Sequence, residues 1–112
     1  MKNRNINFIF LLLLTIILPH YAFSEQTYEF VLKWGTYGDN EGQFKRPTGI
    51  AMDTSGYIYV VGYNDHHVHV FDSSGTFIRR WGGYGAADTQ FRLPFAIAID
   101  SNNCVYVGDL GE

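Results

Sequence analysis

The chain repeats itself. Shifting Phe30–Asp65 by 47 positions lays it on Phe77–Glu112 with 13 of 36 residues identical. The matched pairs include Trp34 and Trp81, Gly35 and Gly82, Tyr37 and Tyr84, Gln43 and Gln90, Phe44 and Phe91, and Pro47 and Pro94. They continue through Ile50 and Ile97, Asp53 and Asp100, and Tyr59 and Tyr106. A chain of this length can bury a modest core, but repeat units of this kind bury theirs mainly against their neighbours.

Within one period, four short runs read as strands. Thr48–Asp53 is apolar on both faces and Tyr57–Val61 is entirely β-branched or aromatic, the pattern of strands covered on both sides. His67–Phe71 alternates imidazoles with Val68 and Val70, as a half-exposed strand does, and Thr76–Trp81 carries Arg79 and Arg80. Burial is therefore expected to fall from the first strand to the fourth. This describes an all-β chain built of four-stranded antiparallel meanders, each standing radially as the blade of a propeller.

The connections separate into two kinds. Asp53-Thr54-Ser55-Gly56, Asp72-Ser73-Ser74-Gly75 and Asp100-Ser101-Asn102-Asn103 each place Asp three residues before Gly or Asn. Such a carboxylate accepts backbone N–H groups, and Gly or Asn admits the positive φ of a tight hairpin. One carboxylate per turn is too few for calcium. In a meander the longer connections fall at the opposite end, where binding usually resides. The candidate binding face is consequently Tyr37, Asp39, Asn40, Glu41, Lys45, Arg46, Tyr63, Asn64, Asp65 and His66, with Tyr84, Asp88 and Arg92 from the next period.

The first 24 residues obey another rule. Lys2 and Arg4 precede a 13-residue apolar run, Ile6–Leu18, and Ala22-Phe23-Ser24 offers a small-residue cleavage pattern. This reads as a signal peptide cut before Glu25, forming a signal helix too short for a membrane span. The mature chain is expected outside the cytoplasmic membrane, with no stable insertion after cleavage. Removing Lys2 and Arg4 leaves 6 basic and 11 acidic side chains, a net charge of 6 − 11 = −5, which disfavours a nucleic-acid partner. Cys104 is the single cysteine, so no internal disulfide forms, and it reads as a packing thiol at the start of a buried strand. Because the chain stops in mid-repeat, it reads as the beginning of a longer protein.

The stretch FKRPTGIAMDTSGYIYVVGYNDHHVHVFDSSGTFIRRWG, from Phe44 to Gly82, resembles an NHL repeat. The positions that carry the likeness are Phe44, Pro47, Gly49, Ile50, Ala51, Asp53, Gly56, Tyr59, Val60, Val70, Phe71, Asp72 and Gly75. The second copy keeps Phe91, Pro94, Ile97, Ala98, Asp100, Tyr106, Val107, Asp109 and Gly111. The resemblance implies a β-propeller, commonly of six blades, that serves as a binding platform. It departs from the pattern at Gly62, where the family carries an acid, and at Asp65, where it carries Asn. In these terms the organisation is a signal peptide (1–24) and a propeller segment (25–112). The segment comprises an outer strand (28–35), blade one (48–82) and a partial blade two (95–112). The outer strand would let a later blade close the ring.

Chemistry is sparse. His67 and His69, at i and i+2, share a strand face, so two imidazoles could meet one ion; ordinary half-exposed strand positions account for them better. Trp34 and Trp81 recur in the period as packing residues would. Gly82-Gly83-Tyr84-Gly85 opens no helix, so it lacks the geometry of a phosphate cradle. No cofactor is implied. The leading reading is a noncatalytic scaffold that binds a protein or peptide. The alternative is a fragment of a secreted propeller enzyme, a metal-dependent lyase or a lactone or ester hydrolase. A third reading, self-assembly of copies, applies if the chain is complete.

Overall fold

A computed structural model describes residues 26–111. The expected signal peptide and its helix lie outside the described residues. Among these there is no helix long and apolar enough to cross a membrane, and every regular element is a strand. Two short strands, β1 (Thr36–Tyr37) and β2 (Gln43–Phe44), pair in parallel. They are followed by β3 (Pro47–Met52), β4 (Ile58–Gly62), β5 (His67–Phe71) and β6 (Phe77–Gly82), which form one antiparallel sheet in sequential order. A second antiparallel pair joins β7 (Pro94–Ile99) to β8 (Val105–Asp109). The four-stranded meander expected for blade one is thus present, and the described part of blade two is its first two strands.

The tight turns explain why the strands reverse where they do. Asp53 Oδ1 accepts the amides of Ser55 and Tyr57, each at 2.9 Å, and Asp100 Oδ1 accepts those of Asn102 and Cys104 at the same distance. Gly56, Gly75 and Asn103 close the three turns at φ 86, 81 and 62. This is the left-handed region that Gly enters freely and Asn tolerates. The second hydrogen-bonding role also repeats: the hydroxyls of Tyr59 and Tyr106 donate to the free oxygens of Asp53 and Asp100.

Alternation along β4 and β5 gives blade one two apolar faces. Tyr59, Val61, Val68 and Val70 form one, and Ile97, Ile99, Val105 and Val107 of blade two pack against them with Trp81 and Phe91. The other face carries Phe71 and His69, covered by Phe44 at ring-centroid distances of 5.4 and 5.3 Å. Trp34 stands 6.0 Å from Phe71. Both tryptophans therefore pack, as their recurrence implied. Where the two blades meet, Gly49 leaves no room for a side chain, since a Cβ would lie 2.9 Å from Val61 and 3.3 Å from Ile97.

Three expectations are corrected. Burial does not fall from first strand to fourth: β4 and β5 are the buried strands, while Ile50 and Met52 of β3 are each 65% exposed. A shift of 47 maps Ile50, Met52, Ile58 and Val60 onto Ile97, Ile99, Val105 and Val107. Their apolarity is that of an interface between blades, and among the described residues no blade lies on this face. Residues 28–35 form no strand, and Val31 is 88% exposed. Their counterpart in the period, β6, exists because β5 pairs with it, and among the described residues the earlier run has no such partner. Cys104 is exposed rather than packed, because it belongs to the Asp100 turn and β8 begins only at Val105.

Candidate functional site

The long connections sit where the meander places them, and hydrogen bonds tie them together. In the first, the Gln43 side chain accepts the Asn40 amide at 3.1 Å; in the second, Gln90 accepts the Ala87 amide at 3.2 Å. Each clasp folds its loop back so that Tyr37 bridges to Phe44 and Tyr84 to Phe91, in parallel. The phenylalanines turn inward and the tyrosines outward. Tyr37 is 78% exposed and Tyr84 71%. Gln43 and Gln90 were among the repeated identities, so the signal for these clasps was available in the sequence.

Charged residues of the first loop are mutually engaged. Lys45 donates to Asp39 at 2.6 Å, a hydrogen bond that holds the ammonium above its ordinary pKa. Arg80 reaches from β6 to donate to the Asp39 carbonyl at 2.9 Å. Nothing in the composition of β6 pointed to Arg80 as a loop-face residue. Asn40, Glu41, Asn64 and Asp88 are exposed, while Tyr63 and Arg92 are half-buried. Trp34, Tyr37, Phe44, Arg46 and Pro47 line a shallow open depression.

The connection between β4 and β5 is the hub of this end. The Tyr63 amide donates to the Arg46 carbonyl at 3.1 Å, and the His66 carbonyl accepts the Gly83 amide at 2.7 Å. The His66 ring lies edge-on to Tyr84 at 5.1 Å. One short turn thus joins the loop before blade one to the loop before blade two.

Asp65 is not a surface residue of this face; it is 5% exposed. Its Oδ2 lies 2.7 Å from His69 Nε2, a contact off the line of a hydrogen bond, and its Oδ1 lies 3.9 Å from His67 Nδ1. His67 Nδ1 donates to the Asp65 carbonyl at 2.6 Å; a carbonyl can only accept, so this nitrogen carries the proton. His69 is fully buried rather than half-exposed. Among the described residues no three His, Cys, Asp or Glu side chains converge as a metal shell. Asp65 draws His69 inward, and the two imidazoles of β5 end in different surroundings.

The two periods differ at the position shared by Gly62 and Asp109. Asp109 accepts the amides of Arg92, Leu93 and Gly111 at 2.8, 2.7 and 3.0 Å. Burial pushes its pKa up, but these three amides outweigh that and leave it below the ordinary carboxylate value. The equivalent residue is Gly62, against which the preceding loop turns its carbonyls: a Cβ there would lie 2.6 Å from the Lys45 oxygen and 3.1 Å from that of Arg46. Arg46 takes a φ of 49. The departure from the repeat at Gly62 therefore has a structural counterpart: the preceding loop runs too close to this position for a side chain.

Comparison with known proteins agrees with this architecture. Residues 44–71 match the family model of the NHL repeat. The chain is 35% identical over 65 residues to the protein brain tumor of Drosophila melanogaster, covering 58% of this chain and 6% of that protein. It is 44% identical over 43 residues to the B-box type zinc finger protein ncl-1 of Caenorhabditis elegans, covering 38% and 5%. It is 39% identical over 46 residues to the E3 ubiquitin-protein ligase TRIM71 of Rattus norvegicus, covering 41% and 5%. The chain thus spans a small fraction of these relatives' length.

Proposed function

From the NHL repeat carried by residues 44–71, we propose that this chain is part of an exported β-propeller, of six blades, that binds a protein or peptide without catalysis. The loop-bearing end is the binding face. One observation carries the reading: two period-equivalent tyrosines, Tyr37 and Tyr84, stand 78% and 71% exposed on backbone clasped by Gln43 and Gln90. Large aromatic rings held outward on fixed backbone supply binding area at small entropic cost. The flanking Arg46, Glu41 and Asn40 offer a polar rim of the kind that surrounds interface anchors.

The test is selection of a random peptide display library on the full chain. Selected peptides are expected to lose about tenfold or more in affinity for Tyr37→Ala or Tyr84→Ala, the loss typical of a hot-spot aromatic, while urea melts of the variants stay near wild type. Equal affinity for wild type and both variants would place binding elsewhere and overturn this assignment of the face.

A further inference from the structure

The loop before β3 departs from its period in a way that presents one side chain. In blade two, Asp109 accepts the amides of Arg92 and Leu93 and fixes that loop from within. In blade one Gly62 stands in its place, the Lys45 and Arg46 carbonyls close on it, and Arg46 takes a φ of 49. A residue with a Cβ enters this region at a cost, and the period equivalent, Leu93, does not enter it. The Arg46 carbonyl is held in turn by the Tyr63 amide at 3.1 Å. The backbone that carries this side chain is therefore fixed, while the residue itself is exposed.

Its charge is unanswered. Lys45 and Arg80 are both engaged by Asp39, the first through the carboxylate and the second through the carbonyl. Among the described residues no carboxylate lies within ion-pair distance of Arg46. With Trp34, Tyr37, Phe44 and Pro47 it lines the shallow open depression of the loop face. An unpaired cation on an aromatic floor complements an anion carried beside an apolar group, and Trp, Tyr and Arg are the residues that dominate binding energy at interfaces.

We propose that this depression recognises an acidic peptide: Arg46 takes an aspartate or glutamate side chain of the ligand, and Trp34 and Tyr37 receive the apolar residue next to it. A planar guanidinium grips a carboxylate through two parallel N–H donors. A chain terminus is captured by a nest of backbone amides, whereas this loop offers a side chain, which favours an internal acid. Aromatic rings with arginine also suit single-stranded nucleic acid. Against that stand 11 acidic and 6 basic side chains beyond residue 24 and the exposed Glu41 and Asp88 of the same face. A neighbouring turn does not close such a place, since Tyr84, with the His66 ring edge-on beside it, is still 71% exposed. The proposal rests on the reading of the loop face as a peptide-binding surface and names the chemistry of its ligand.

Nitrogen–proton NMR of the full chain tests it, by titration with two blocked tripeptides, acetyl-Pro-Leu-Glu-amide and acetyl-Pro-Leu-Gln-amide. The acidic tripeptide is expected to shift the Arg46 side-chain Nε–H and the Tyr37 amide, and to bind about fivefold more tightly than its neutral analogue at low salt. That preference is expected to shrink as salt rises, to vanish in Arg46→Gln, and to survive in part in Arg46→Lys, which keeps the charge without the fork. Equal binding of the two tripeptides, a preference that persists in Arg46→Gln, or no shift with either would overturn the proposal. So would an oligouridylate that shifts the Arg46 signal where the acidic tripeptide does not, which would assign the site to nucleic acid. The two readings fail separately: equal binding at Tyr37 leaves a peptide face without an acid preference, whereas shifts confined to residues away from Tyr37 and Arg46 overturn both. The wild-type contrast decides even where a variant unfolds.

Discussion

Gly62 shows how one residue sets the course of a loop. Its hydrogen faces the Lys45 and Arg46 carbonyls at distances that no Cβ could share. Gly62→Ala must therefore push the loop away, and overpacking of this kind costs about 1–3 kcal/mol. Urea unfolding will show it as a lowered midpoint with an unchanged slope. Gly108→Ala is the control, because a Cβ there would meet only Ala96 at 3.6 Å, an ordinary contact. The residue scale is also where the sequence was least legible. Asp65 stood in a polar run, Tyr63-Asn64-Asp65-His66, that reads as surface. Nothing in its spacing from His69 distinguishes a buried pair from two solvated groups, because the enclosure is supplied by Phe44 and Phe77 from other elements. Cys104 was misplaced for a related reason: hydrophobicity alone does not tell the last residue of a turn from the first of a strand.

At the scale of elements, the Asp turns are the most regular feature, and they predict the response to acid. Asp72 is held below its ordinary pKa first by the Ser74 hydroxyl and then by the amide of Thr76, against some desolvation. In Asp100 the Cys104 amide is the largest cause. A carboxyl whose pKa is lowered by folding stabilises the fold above its unfolded value, and that contribution disappears as pH falls through the folded value. The tight turns should therefore be indifferent to pH from neutrality down to about pH 5 and weaken below about pH 4, near the ordinary range of Asp. Thermal melts across this range are expected to show a late acid decline that Asp72→Asn and Asp100→Asn make shallower. These turns were fully legible, since an Asp three residues before Gly or Asn has few other uses between two apolar runs. The strand faces were half legible. Ile50 and Met52 were read as buried, yet each is 65% exposed, because the burial of such residues depends on a neighbouring blade, and periodicity within one period cannot supply it.

The whole molecule is legible through its period. Two copies 47 residues apart repeat single hydrogen bonds: Tyr63 to Arg46 recurs as Leu110 to Leu93, and Tyr59 to Asp53 recurs as Tyr106 to Asp100. The 13 identities in 36 positions include the aspartates that fold the turns, the glutamines that clasp the loops and the aromatic residues that pack between them. Export belongs to this scale as well. Expressed with its first 24 residues, the chain is expected outside the cytoplasmic membrane with Glu25 as its new N-terminus, which N-terminal sequencing or intact mass measurement will read. Retention of Met1 on a membrane-bound product would instead assign the apolar run to an anchor.

The turn of blade two is fastened to that of blade one by the Asn103 side chain, which accepts the Thr54 amide at 3.0 Å and donates to the Thr54 hydroxyl at 2.8 Å. One period earlier the same position is Gly56, which has no side chain to offer. A single letter thus decides whether a blade is stitched to the one before it. The seam between the two blades described here is sewn at its tight-turn end, and Gly56 offers no side chain from which blade one could sew another.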